Sequence, residues 1–136
     1  MGVYSFRYDG GLSMIIAVDF DGTIARSEFP VIKGEMPYAG EVLRRLHTSG
    51  HYIILWTCRC GKQLLDAINW LLEHQIPFDR INDHNPENMR LYGEGGNKVY
   101  AHCYVDDKNI GGFPGWPEVE RLINEMEIEY QNRTGK

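Results

Sequence analysis

Four aspartates and a threonine stand where apolar runs of this sequence stop. Ile15-Ile16-Ala17-Val18 leads into Asp19-Phe20-Asp21-Gly22-Thr23, the run from Tyr52 to Trp56 leads into Thr57, and the run from Val99 to Val105 leads into Asp106-Asp107. Carboxylates serve as nucleophiles, as proton donors and acceptors, and as ligands for hard cations. In an open parallel sheet, ligands bind at the carboxyl ends of the strands. If the three runs are neighbouring strands of one such sheet, all five residues converge. Four crowded carboxylates repel one another, and their anions become tenable beside a bound cation; an all-oxygen ligand set suits Mg²⁺. A Mg²⁺ held by few carboxylates keeps positions open for phosphate oxygens, so the constellation points to phosphoryl chemistry. Asp-Gly is a common turn dipeptide, and either acidic pair alone reads as an ordinary turn. Both pairs with Thr57 between them do not.

The elements that must position these residues alternate between strand and helix, which favours an α/β fold on a parallel sheet. Met14–Val18 is apolar throughout, as expected of a strand buried on both faces; Tyr52–Trp56 is a second such run, and Val99–Val105, interrupted only by His102, is a third. A shorter strand is expected near Phe78 to Asn82. Ala39, Val42, Leu43 and Leu46 share one helical stripe, with Gly50 as its stop. Leu64, Leu65, Ile68, Leu71 and Leu72 form a second stripe; Val119, Leu122, Ile123, Met126 and Tyr130 form a third, after Pro117. Residues 24–37 and 83–97, rich in Gly, Pro and Asn, read as loops. Residues 1–13 read as a hairpin or a peripheral arm.

The length of 136 residues suits a single domain, 1–136, with a proper core. A net charge of −5 argues against tight, nonspecific nucleic-acid binding, though a nucleotide or a nucleic-acid end remains open as a substrate. Cys58, Cys60 and Cys103 are too few for a disulfide framework and read as reduced thiols in a cytoplasmic protein. Cys58-Arg59-Cys60 lacks the spacing of a zinc site, and His102 and Cys103 would face opposite sides of a strand. No apolar run approaches the ~20 residues that span a bilayer.

Asp19-Phe20-Asp21-Gly22-Thr23 after one strand, Thr57 after a second and Asp106-Asp107 after a later one resemble the haloacid dehalogenase superfamily of phosphohydrolases. The resemblance covers roughly residues 14–111. It implies a three-layer Rossmann-like α/β sandwich with strand one central and strands two and three on either side. It also implies that Asp19 is a nucleophile forming an aspartyl-phosphate. Asp21 would be the general acid and then the base that activates water. Thr57 would hold a phosphoryl oxygen. Mg²⁺ would be bound by Asp19, the Asp21 carbonyl and Asp106, with Asp107 completing the set. The superfamily also needs a phosphate-binding cation: Lys98 is the choice, with Lys62 and Lys108 as rivals. Arg59, two residues after Thr57, is a further candidate for the phosphate or a second anionic part of the substrate.

The segments available for insertion are short, so no cap domain is expected and the pocket should be open. The expected reaction is hydrolysis of a phosphate monoester, either a small molecule or a phosphorylated polymer end, with a homo-oligomer as one way to complete an open site. Two other readings are a phospho-acceptor receiver domain and a catalytically silent phosphate-binding protein. The order of the acidic motifs disfavours the first. The second is expected to have lost one of the aspartates, and none is lost.

Overall fold

Val18, Leu55 and Val105 lie level across three adjacent strands of the computed structural model, which describes residues 5–6, 12–93 and 95–133. The elements in chain order are β1 (Ser5–Phe6), β2 (Leu12–Ser13), β3 (Ile15–Val18), β4 (Ala25–Glu28), β5 (Val31–Glu35), α1 (Ala39–Thr48), β6 (Tyr52–Leu55), α2 (Gly61–Glu73), β7 (Arg80–Ile81), α3 (Pro86–Tyr92), β8 (Cys103–Val105) and α4 (Trp116–Arg133). The central sheet has the order β7-β6-β3-β8, and all its pairings are parallel. Strand β3 is central with β6 and β8 on either side, as expected. All four of its residues are at most 3 % exposed, which explains its unbroken apolar character.

The larger core lies on one face of this sheet. Ile16, Val18, Ile53, Leu55 and Val105 meet Val42, Leu43 and Leu46 of α1, Ala67 and Leu71 of α2, and Val119 and Ile123 of α4. Burying each such aliphatic side chain contributes roughly 1.5–3 kcal/mol before conformational entropy is charged. The opposite face carries a smaller cluster. There Ile15, Ala17 and Ile54 are covered by Val99 and Ala101 and edged by Tyr52, Trp56, Tyr100 and Tyr104. The fold is thus α/β with a parallel sheet flanked by helices, compatible with a Rossmann-like arrangement.

Four expectations need correction. The third strand is confined to Cys103–Val105. The Tyr104 hydroxyl donates to the Val99 carbonyl at 2.6 Å and accepts from the Ala101 amide at 3.2 Å, so residues 99–101 curl over the sheet instead of extending β8. Residues 24–37 are not a loop: β4 and β5 form an antiparallel hairpin. Residues 83–97 contain α3, which starts with Asn85 accepting from the Asn88 amide and Pro86 in the first turn, a standard entry to a helix. The stripe on α2 is narrower than its sequence suggests. Ala67 and Leu71 are buried and Trp70 packs edge-on against Phe20, whereas Leu65 and Leu72 are exposed.

Strands β1 and β2 pair antiparallel, consistent with an N-terminal hairpin; residues 7–11 lie outside the described residues. The two insertion points carry the β4–β5 hairpin and the short α3, and no cap domain is present among the described residues. No helix of the described residues is long and apolar enough to cross a membrane.

Candidate functional site

The sheet register delivers the acidic residues to one edge. The Asp19 amide donates to the Val105 carbonyl at 2.9 Å and the Trp56 amide to the Val18 carbonyl at 2.8 Å, so the three strands end together. Carboxylate oxygens of Asp19, Asp106 and Asp107 all lie within 4.8 Å of one another. Burial, then the charge of Asp106 and the adjoining Asp107 carboxyl, raise Asp19 from its ordinary 3.8 to about 7. One oxygen of Asp107, Oδ1, is buried with no hydrogen-bond donor. Three convergent carboxylates, one with an orphaned buried acceptor, fit a hard divalent cation such as Mg²⁺.

Local backbone geometry makes room for this cluster. Gly22 has φ +80, and a Cβ built there would lie 2.2 Å from Asp107 Oδ2. Only glycine takes that conformation without strain and also leaves space for the carboxylate. The loop is pinned at Phe20, whose carbonyl accepts from the amides of Thr23, Ile24 and Ala25. Buried Thr23 donates through its hydroxyl to Asp19 Oδ2 at 3.2 Å, and its carbonyl accepts from the Trp116 indole at 2.7 Å. Trp116 therefore ties the first turn of α4 to the Asp19 loop.

Asp21 is placed apart from the three-carboxylate cluster, against Arg59. Arg59 Nε donates to Asp21 Oδ2 at 2.9 Å and Nη2 to Oδ1 at 2.7 Å. Burial alone would raise Asp21, but the hydrogen bonds and charge of Arg59, with smaller contributions from Ser27 and the charge of Lys108, outweigh it and hold the carboxyl below its usual range. A contribution of Asp21 to a cation would therefore come from its backbone carbonyl, as the resemblance implies.

Arg59 is engaged on the protein side. Its side chain is fully buried, and it also donates to the carbonyls of Gln63 and Pro30. Thr57 lies in the loop two residues beyond the end of β6. Its amide donates to Asn82 Oδ1 at 2.8 Å and its carbonyl accepts from Asn82 Nδ2 at 2.9 Å. The Thr57 hydroxyl oxygen accepts from the Arg59 amide. Asn82 has φ +51, a conformation that asparagine tolerates better than most residues. Its place just after the short strand β7 is the signal that would have found it.

Lys98 is exposed and lies over the Tyr104 ring at 4.9 Å, making no contact with the acidic cluster that the structure records. The rival Lys108 has its Nζ 3.7 Å from Asp107 Oδ2. Lys62 pairs with Asp66 on α2. Cys58 and Cys60 are exposed free thiols, and Cys103 is a free thiol pushed up to about 12 by burial.

The sequence matches no family model and no curated protein. Among solved structures, a conserved protein coded by a locus of Bacteroides thetaiotaomicron is 38% identical, with a TM-score of 0.75, over 84% of this chain and 92% of that one. The chain belongs to the family of that protein. Chains of the Pnkp1/Rnl/Hen1 RNA repair complex are also similar, at 20% and 21% identity and a TM-score of 0.48. They match over 70% and 79% of this chain and 39% and 40% of theirs.

Proposed function

We propose that this chain is a Mg²⁺-dependent phosphatase of the haloacid dehalogenase type, hydrolysing a phosphate monoester through an aspartyl-phosphate on Asp19. The observation that carries this reading is the convergence of Asp19, Asp106 and Asp107 at the ends of adjacent parallel strands, with Asp21 and Thr57 on the flanking loops. Asp19, Asp106 and Asp107 would hold the cation. Bound there, Mg²⁺ offsets the repulsion between the Asp19 anion and the phosphate that it attacks.

The chain's own residues supply the rest. Thr23 orients the Asp19 carboxylate through its hydroxyl. Asp19 attacks phosphorus, and splitting hydrolysis into two displacements lowers each barrier. Asp21, ionised beside Arg59, takes up the proton that a phosphate monoanion brings, passes it to the departing oxygen, and then takes a proton from the water that releases phosphate. Thr57, fixed by Asn82, holds a phosphoryl oxygen, and Lys108 supplies the positive charge that the resemblance assigned to Lys98. The substrate is a small phosphate ester or a phosphorylated polymer end that enters an open site.

A screen of phosphate esters with Mg²⁺ tests the reading. Turnover is expected with at least one ester, lost in chelator, poorly supported by Ca²⁺ and abolished by Asp19→Asn. Full activity in chelator, stoichiometric bound zinc, or hydrolysis by Asp19→Asn above about a tenth of the wild-type rate would overturn it.

A further inference from the structure

Arg59 grips both oxygens of the Asp21 carboxylate in the two-pronged geometry that a planar guanidinium makes with a carboxylate. The same guanidinium donates to the Gln63 carbonyl at 3.0 Å, in the first turn of α2, and to the Pro30 carbonyl at 3.0 Å, in the turn between β4 and β5. It lies over the rings of Phe20 at 5.2 Å and Phe29 at 5.1 Å. The Arg59 side chain is 0% exposed, whereas that of Asp21 is 28% exposed.

A cation fixed by four hydrogen bonds and two rings cannot swing toward a ligand without breaking several contacts in a water-poor setting. The carboxylate that it holds still presents an open side. We infer that Arg59 is a positioning residue: it fixes the plane of Asp21 for proton transfer and ties that plane to the β4–β5 turn, rather than binding the phosphate. This rests on the phosphatase reading, in which Asp21 moves the proton.

The test uses the full chain, Mg²⁺ and an aryl phosphate, with inorganic phosphate as a competing ligand. Arg59→Ala should lower kcat roughly 10- to 100-fold, the scale of a misplaced proton-transfer group. KM and inhibition by inorganic phosphate should stay within about twofold of wild type, because no phosphate contact is lost. Arg59→Lys should recover only part of kcat, since an ammonium is a point charge without the fork. Adding Arg59→Ala to Asp21→Asn should slow the enzyme no further than Asp21→Asn alone.

A raised KM with weakened phosphate inhibition would make Arg59 a phosphate ligand and overturn the inference. Unchanged kcat, or losses that multiply in the double variant, would overturn it too. If melting shows Arg59→Ala to be unfolded, Arg59→Lys carries the same kcat, KM and double-variant readouts. Hydrolysis by Asp19→Asn would sink the phosphatase reading itself. An inactive Asp19→Asn beside an Arg59 effect independent of Asp21 would sink this inference alone.

Discussion

Replacing Asp19 with asparagine should stabilise the metal-free protein at neutral pH. Asp19 is crowded by burial first and by Asp106 and Asp107 next, and its carboxyl moves from 3.8 to about 7. In the unfolded chain it ionises near pH 4; folded and without metal, it keeps its proton to near pH 7. Below pH 4 both states are protonated, and the native state suffers no penalty. Between pH 4 and 7 the folded chain binds the extra proton, so stability falls as pH rises, and above about pH 7 the loss is complete. The full displacement corresponds to roughly 4 kcal/mol at most. Asp19 is only partly buried, and screening by water reduces the expected effect to ~1–2 kcal/mol. Asparagine keeps a carbonyl for the Thr23 hydroxyl and carries no charge.

Asp19→Asn in chelator at pH 7.5 should therefore melt about 3–8 °C above wild type, and the gain should vanish near pH 4. Adding Mg²⁺ should raise the wild-type Tm more than that of the variant, because binding to the native state adds stability where the ligands are intact. Thermal melts at the two pH values, with and without Mg²⁺, make the comparison. A variant no more stable than wild type at pH 7.5, or equally favoured at pH 4, would refute the reasoning.

Gly22→Ala should cost about 1–2 kcal/mol for the left-handed backbone alone and push Asp107 aside. Mg²⁺ affinity should then drop at least roughly tenfold by calorimetric titration, and unchanged affinity would contradict the packing described. Trp116→Phe leaves the Thr23 carbonyl without its indole donor and should destabilise by about 1–3 kcal/mol in denaturant unfolding, with a fall in kcat that Trp70→Phe does not share. Asn82→Ala removes both bonds that hold the Thr57 backbone and should raise KM and weaken inhibition by inorganic phosphate several-fold, with kcat less affected. A kcat loss at constant KM would detach Thr57 from phosphate binding.

The parts of the fold that were legible before the structure were those written in hydrophobic pattern. The buried strands, the stripe on α1 and the convergence of Asp19 with Asp106 and Asp107 all follow from apolar runs ending in polar residues. What escaped depends on side chains meeting across distant sequence. Arg59 reads as a free cation beside Thr57, because nothing local shows Asp21, Pro30 and Gln63 closing around it. Lys98 precedes the third apolar run and looks well placed. The run, however, curls at residues 99–101 under the Tyr104 hydroxyl, and Lys98 ends on the Tyr104 ring. The Asn85-Pro86 pair within residues 83–97 reads as a loop signal, although the same pair is a helix cap with a proline at its first position. The β4–β5 hairpin escaped because Ala25-Arg26-Ser27-Glu28 lacks the apolar alternation expected of a strand and Gly34 interrupts β5.

The most direct measurement of the central claim is peptide mass spectrometry after rapid acid quench of the chain turning over an aryl phosphate with Mg²⁺. A phosphoryl group should appear on the peptide containing Asp19, at higher occupancy in Asp21→Asn, where release by water is slowed, and at none in Asp19→Asn. Turnover with no phosphorylated Asp19 peptide in either protein, or a phosphoryl group on another residue, would contradict the account.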